Sequence, residues 1–142
     1  MNVSMEKIII IPDEKWEIFL KIAFKNSDSF CLKYFTNEDY YDTSLCEYIE
    51  RELNPWRIFN KGEIVWPDYE IRYYECNYFT MKILTSIKGI DKLGEKTYPE
   101  DLSFFINEEK WFENVSHEKT SFFNSLNAQL QDHLAQNGML FI

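Results

Sequence analysis

The spacing of apolar residues changes between the helical and the strand period along this chain, and this change limits the possible folds. Residues 69–73 alternate between aromatic or aliphatic and charged side chains, which is the pattern of a half-buried strand. Near the N-terminus, five apolar residues instead recur at helical intervals after Pro12 and predict one buried helix face: Trp16, Phe19, Leu20, Ala23 and Phe24.

The other elements follow from the same signals. An irregularity around Gly62 is expected in a strand over 56–66 that pairs antiparallel with 69–73. A loop of about four residues, 107–110, is expected to join the last two predicted strands as a hairpin. The remaining strands are predicted at 7–11, 30–35, 102–106 and 111–116, and the remaining helices at 43–53, at 79 to about 94 and at 123–136, before an apolar tail over 139–142.

Strands and helices do not alternate strictly in this order, so the pattern favours an α+β fold over a parallel doubly wound sheet. No repeat, low-complexity tract or Gly/Ser/Pro-rich linker divides the chain. We therefore predict a single α+β domain over residues 1–142, with a mainly antiparallel sheet and three to four helices packed against it.

The sequence predicts a cytoplasmic protein. No apolar run approaches the roughly 20 residues that span a bilayer, and the stretch Met1 to Lys7 lacks the features of a secretory signal. Cys31, Cys46 and Cys76 form no Cys-x-x-Cys pair and are odd in number, which is typical of reduced, mostly buried thiols. We expect neither a membrane partner nor disulfides.

Several chemistries lack the residues that they need. The chain has only two histidines, His117 and His133, no cysteine pair with metal-ligand spacing, and neither of the glycine-rich nucleotide-binding motifs. We therefore assign no metal, no cofactor and no catalytic residue. Nucleic acid is disfavoured as a partner because the net charge is −9 and basic clusters are missing.

Two alternative functions stay open. One is a small hydrolase-like enzyme that uses His117 with a carboxylate or a cysteine, since an imidazole can activate either kind of site. The other is a scaffold protein of phage or housekeeping origin.

The acidic residues are concentrated in two segments. Asn37 to Glu52 contains six acidic residues and one arginine, and Glu100 to Glu118 contains six acidic residues and one lysine, so the rest of the chain is close to neutral. Such segments steer a basic protein partner if they share a face, and they serve solubility if they lie on opposite sides. The residues predicted to contact the partner are Glu38, Asp39, Asp42, Glu108, Glu109 and Glu113.

Two stretches carry a resemblance to a known class of proteins. Residues 99–105, Pro-Glu-Asp-Leu-Ser-Phe-Phe, are followed by Trp111 and by Ser-His-Glu-Lys at 116–119. In these stretches the chain resembles small acidic bacterial proteins from polymorphic-toxin neighbourhoods, which are regarded as immunity proteins. The resemblance implies a non-enzymatic inhibitor of a basic toxin and brings no assigned functional residues.

Overall fold

The computed structural model of the chain describes residues 6–35, 43–65, 69–93, 99–124 and 128–142. Within these ranges, eight strands form one antiparallel sheet in the order β3-β4-β2-β5-β6-β7-β1-β8. The strands are β1 (Glu6–Ile10), β2 (Ser29–Phe35), β3 (Arg57–Val65), β4 (Tyr69–Glu75), β5 (Glu100–Ile106), β6 (Glu109–Val115), β7 (Thr120–Asn124) and β8 (Leu140–Phe141).

Four α-helices accompany the sheet in the described ranges, so the predicted α+β class is confirmed. They are α1 (Trp16–Asn26), α2 (Thr43–Leu53), α3 (Tyr78–Thr85) and α4 (Ala128–Gln136). In the part of the chain that the structure describes, no helix is both long and apolar enough to cross a membrane.

All four helices lie on the same face of the sheet. The Phe19 ring of α1 lies 5.0 Å from the Phe112 ring of β6, and Glu50 of α2 accepts a hydrogen bond from Arg72 of β4. Trp16 ties α1 to α3 by donating its indole N–H to the Leu84 carbonyl at 3.1 Å. The Lys7 ammonium of β1 lies 3.4 Å from an amide oxygen of Gln131 in α4. The core is therefore one layer between helices and sheet.

Phe104 lies at the centre of this core. Its side chain is fully buried, and five aromatic rings surround it with ring centroids 5.3 to 6.1 Å away. These rings come from α1 and from strands β2 and β6: Phe19, Phe24, Phe30, Trp111 and Phe112. Aromatic pairs at these separations stabilise a core beyond the area that they bury.

Most predicted elements are confirmed: β1, β2, α1, α2 and the antiparallel pair β3–β4, including its irregularity near Gly62. The predicted helix over 79–94 is too long, because α3 ends at Thr85 and a separate 3₁₀ turn follows at 90–92. Gly89 separates the two with a φ of 145°, a conformation that does not continue a helix. Gly94 lies outside the described residues.

Two predictions near the C-terminus are wrong in detail. The β5–β6 hairpin has a two-residue turn, Asn107-Glu108, in place of a four-residue loop, and both turn residues have positive φ angles, as tight hairpins require. Phe123, predicted as the first turn of a helix, is a fully buried residue of β7, and α4 begins only at Ala128. The strand pairing of β7 with β1 and β6 outweighs the local helical spacing.

Gly89 allows a test of the close packing between the segment after α3 and Asp13. A Cβ atom at this position would overlap the Asp13 carboxylate, and the backbone has a conformation that other residues rarely adopt. We expect Gly89→Ala to lower the free energy of unfolding by about 1–3 kcal/mol. Gly62→Ala is the control, since a Cβ added there would lie 3.6 Å from the Ile71 carbonyl oxygen, an ordinary van der Waals contact. Urea unfolding of both variants checks the difference, and equal stability would contradict this account.

Candidate functional site

No described helix covers the face of the sheet opposite the helices, and we call this side the open face. Strand alternation decides what it carries: in β2, Phe30 and Leu32 face the core, whereas Cys31 and Lys33 face the other way. Strand β4 shows the same division, with the buried Tyr74 on the core side. The open face therefore carries mainly apolar and aromatic side chains from β4, β5, β7, β1 and β8: Tyr69, Ile71, Tyr73, Phe105, Phe122, Ile8, Ile10 and Leu140.

The apolar phase of β4 was predicted correctly, but the structure decides which side of the sheet it occupies. Tyr69, Ile71 and Tyr73 lie on the open face, whereas Glu70 and Arg72 lie on the side of α2. There Arg72 donates to Glu50 at 2.5 Å and to Glu70 at 3.2 Å. These hydrogen bonds satisfy charges that the helix layer would otherwise desolvate.

A groove of about 320 Å³ runs across the middle of the open face. Tyr73 and Phe105 form its aromatic wall, with ring centroids 5.6 Å apart. Its charged groups are paired: the Lys33 ammonium lies 2.8 Å from Asp101, and the Lys110 ammonium lies 3.2 Å from Glu113. The groove thus combines an aromatic surface with ion pairs whose charges balance.

The thiols of Cys31 and Cys76 are not suited to nucleophilic chemistry. Cys31 lines the groove floor, and burial raises its pKa to about 12. Burial likewise raises the pKa of Cys76, with the Asp28 carboxylate acting in the same direction. A thiol must ionise to attack a substrate, so both side chains are neutral and unreactive near pH 7. The side chain of Cys46 lies outside the description.

His117 lies in a 3₁₀ turn, Ser116–Glu118, with 72% of its side chain exposed. Its Nε2 atom is 3.9 Å from the Glu118 carboxylate, which is itself more than half exposed. A catalytic acid or base usually lies in a cleft that limits water access. Among the described residues, no group of three or more His, Cys, Asp or Glu side chains is arranged to hold a metal ion.

Two residues of the stretches quoted above for the resemblance, Asp101 and Ser116, form a structural clasp between β5 and the turn that follows β6. Asp101, which has a φ of 56°, accepts a hydrogen bond from the Ser116 backbone N–H and donates its own backbone N–H to the Ser116 hydroxyl, both at 2.9 Å. The Ser116 hydroxyl donates in turn to Asn114, which donates to Ser121. Three of the four residues are at least nine-tenths buried: Asn114, Ser116 and Ser121. Asp101 and Ser116 therefore have a folding role in this chain.

The structure separates the predicted contact residues. Glu108 lies in the β5–β6 turn and lines the open face, as does Glu113 on β6. Glu109 is exposed but pairs with Ile106, whose side chain packs against the core, so it belongs to the helix side. Glu38, Asp39 and Asp42 lie outside the described residues.

The described acidic residues of the two segments do not share one face of the sheet. Glu50 and Glu52 belong to α2, on the helix side, whereas Glu108 and Glu113 line the open face. Lysines also offset much of the second segment. Lys33 lies within 3.5 Å of both Glu100 and Asp101, and Lys61 lies 2.9 Å from Glu108. Charge counted along the sequence therefore overstates the negative potential at this face.

Sequence reasoning missed the aromatic wall and the lysines of this face. The alternation over 69–73 showed that one side of β4 is apolar, but it contains no signal for whether helices cover that side. Lys33 and Lys61 are isolated basic residues in the sequence and become site residues only through strand pairing.

No protein-family model, curated protein or solved structure matches this chain significantly. The open face is therefore interpreted from its own chemistry.

The clasp is testable by two substitutions at Asp101. We expect Asp101→Ala to lower the free energy of unfolding by about 1–3 kcal/mol, because the Ser116 N–H loses its acceptor. Asp101→Asn keeps an acceptor oxygen and a residue type that tolerates positive φ, so it should destabilise less. Urea unfolding measures both, and an equal loss would show that the charge paired with Lys33 outweighs the hydrogen bond.

The buried Glu100 carboxyl predicts that the free energy of unfolding depends on pH. Burial raises its pKa, Asp101 acts in the same direction, and Lys33 opposes them. The folded state then holds this proton more tightly than the unfolded chain, so ionisation of Glu100 destabilises the fold as the pH rises from about 4 through the raised pKa. A glutamine side chain does not ionise. The free energy of unfolding of Glu100→Gln, minus that of the unmodified protein, should therefore increase as the pH rises through this window.

Urea unfolding between about pH 3.5 and 7 measures this gain. Glu109→Gln, at an exposed position, is the control and should show a smaller pH-dependent difference. A gain for Glu100→Gln that stays constant or shrinks with rising pH would contradict the assignment.

Proposed function

We propose that this chain is a protein-binding domain that receives a basic partner protein on the open face of its sheet and acts in the cytoplasm as an immunity-type inhibitor. The observation that carries the proposal is the one-sided sheet. One face is covered by helices, and the other presents apolar, aromatic and paired charged side chains around a groove.

The apolar end of the open face suits a protein partner. Ile8 and Ile10 of β1 are 37% and 41% exposed, and Leu140 and Ile142 beside them are 58% and 76% exposed. These four side chains adjoin one another across the β1–β8 pair. Contiguous exposed apolar residues with a polar rim are typical of protein interaction surfaces.

The charges around the groove favour a basic partner. Glu108 and Glu113 pair with lysines at exposed positions, where an ion pair is worth about 0–1 kcal/mol and exchanges readily. A partner's cation can therefore replace either lysine. The net charge of −9 attracts basic proteins over longer distances. Within this proposal the acidic residues of α2 contribute to steering and solubility, and Glu108 and Glu113 make contacts.

The inhibitory role rests on the resemblance to immunity proteins. Such a role requires only tight occlusion of a partner surface and no chemistry by the inhibitor itself. The unreactive thiols and the solvated His117 are compatible with this expectation.

The proposal is tested by finding which face of the domain a bound partner protein contacts. The tagged chain is expressed in its native host and treated with an amine-reactive cross-linker, so that lysines report position. Cross-links to a basic protein should involve Lys61 and Lys110 on the open face, and not Lys21 and Lys25 of α1. Cross-links confined to α1, or a stoichiometric partner that is acidic, would overturn the proposal.

Affinity for the purified partner then provides a matched comparison. Ile8 on the open face and Ile18 on α1 are both 37% exposed, so Ile8→Lys and Ile18→Lys make equal changes on opposite sides. We expect Ile8→Lys to weaken binding about tenfold or more and Ile18→Lys to leave it unchanged. Calorimetry should also show weaker binding at higher salt. Equal effects of the two variants would contradict the assigned face.

A further inference from the structure

A second basin of the groove, of about 360 Å³, lies at the end of the sheet next to the β5–β6 turn. It shares its aromatic wall, Tyr73 and Phe105, with the central groove, and Ser29 lies on its floor. Its remaining lining comes from a bulge in β3 and from Glu108. We refer to this basin as the turn pocket.

The bulge in β3 forms one side of the turn pocket. Arg57 pairs with Tyr74 and Gly62 with Arg72, so the four residues 58–61 lie opposite the single residue Tyr73. The extra length lets Lys61 reach Glu108 at 2.9 Å, although β4 and β2 separate β3 from β5 in the sheet. The Lys61–Glu108 ion pair therefore bridges the pocket.

Glu108 is held in position while its charge stays accessible. The preceding turn residue, Asn107, donates its backbone N–H to the Asp28 carboxylate at 2.6 Å, and the Asp28 N–H bonds to the Phe105 carbonyl at 2.9 Å. The Glu108 side chain itself is 80% exposed, and that of Lys61 is 43% exposed. A bridge between such exposed groups is weak and can open.

A carboxylate next to two aromatic rings matches the chemistry of an arginine side chain. The guanidinium pairs with a carboxylate through two parallel N–H donors, which an ammonium cannot do. Its flat face also stacks on aromatic rings, and here the Tyr73 and Phe105 rings are tilted by 48° to each other.

We propose that the turn pocket binds an arginine side chain of the partner, with Glu108 exchanging Lys61 for the guanidinium. This inference rests on the proposed function and names the group that the open face recognises. Lys61 acts as an internal competitor: it occupies Glu108 in the free protein and is released when the arginine enters.

The test uses N-acetyl-arginine-N-methylamide as a probe in an NMR titration of the ¹⁵N-labelled protein. The citrulline counterpart is the control, because it has a similar shape without the charge. We expect saturable shifts of the amides of Tyr73, Phe105 and Glu108 with the arginine probe and at least tenfold weaker binding of the citrulline probe. Equal binding of the two probes, or shifts confined to other surfaces, would overturn the inference.

Three variants test whether Lys61 competes with the arginine probe for Glu108. Lys61→Met should tighten binding of the arginine probe, because the internal cation is removed, whereas Glu108→Gln should weaken it about tenfold. Lys21→Met opens a similarly exposed ion pair, with Glu17 on α1, away from the open face and should leave the affinity unchanged. Weaker binding by Lys61→Met would contradict the exchange.

The two proposals fail in different ways. If the arginine probe does not bind but partner cross-links still map to Lys61 and Lys110, the turn pocket is refuted and the protein-binding face is retained. If the probe binds but cross-links map only to α1, the proposed function is refuted and the pocket remains a site for a cationic group.

Discussion

The packing of aromatic rings around Phe104 is the interaction on which the rest of the structure depends. This residue lies on β5, near the middle of the sheet, and its neighbours come from α1, β2 and β6. Because these rings fill the space on one side of the sheet, the helices gather on that side. A chain of this length has one core, and no described helix covers the face of the sheet opposite that core. The candidate site is thus a direct result of one-sided burial.

Irregular strand pairing gives the open face its shape. Register shifts occur between Cys31 and Lys33, between Phe104 and Phe105, and between Arg57 and Gly62. Each shift redirects side chains or lengthens a strand locally, as β-bulges do. The polar groups around the groove then divide into two kinds. The buried hydrogen bonds between Asp101 and Ser116 hold strands together, whereas exposed ion pairs such as Lys61–Glu108 are weak enough to exchange with a partner.

The acidic segments show how far charge counting along a sequence can be used. Charge counting identified Glu108 and Glu113, which do line the open face. It did not show that Lys33 and Lys61 would lie against the acidic residues of the same segment, because strand pairing brings together residues that are far apart in the chain. It also grouped Glu50 with a possible binding face, whereas this residue binds Arg72 on the helix side.

The sequence by itself determined the α+β class, most of the strands, and the buried face of α1, because apolar spacing reports which side of a local element avoids water. It also limited the chemistry, since two histidines and three cysteines without ligand spacing support few kinds of active site. Only the tertiary structure decided which face of the sheet the helices cover, that Phe123 belongs to a strand, and that Tyr73, Phe105 and Glu108 surround one pocket. The physical reason is that local spacing fixes the apolar phase of an element, whereas the packing of distant elements fixes which of those faces remain exposed.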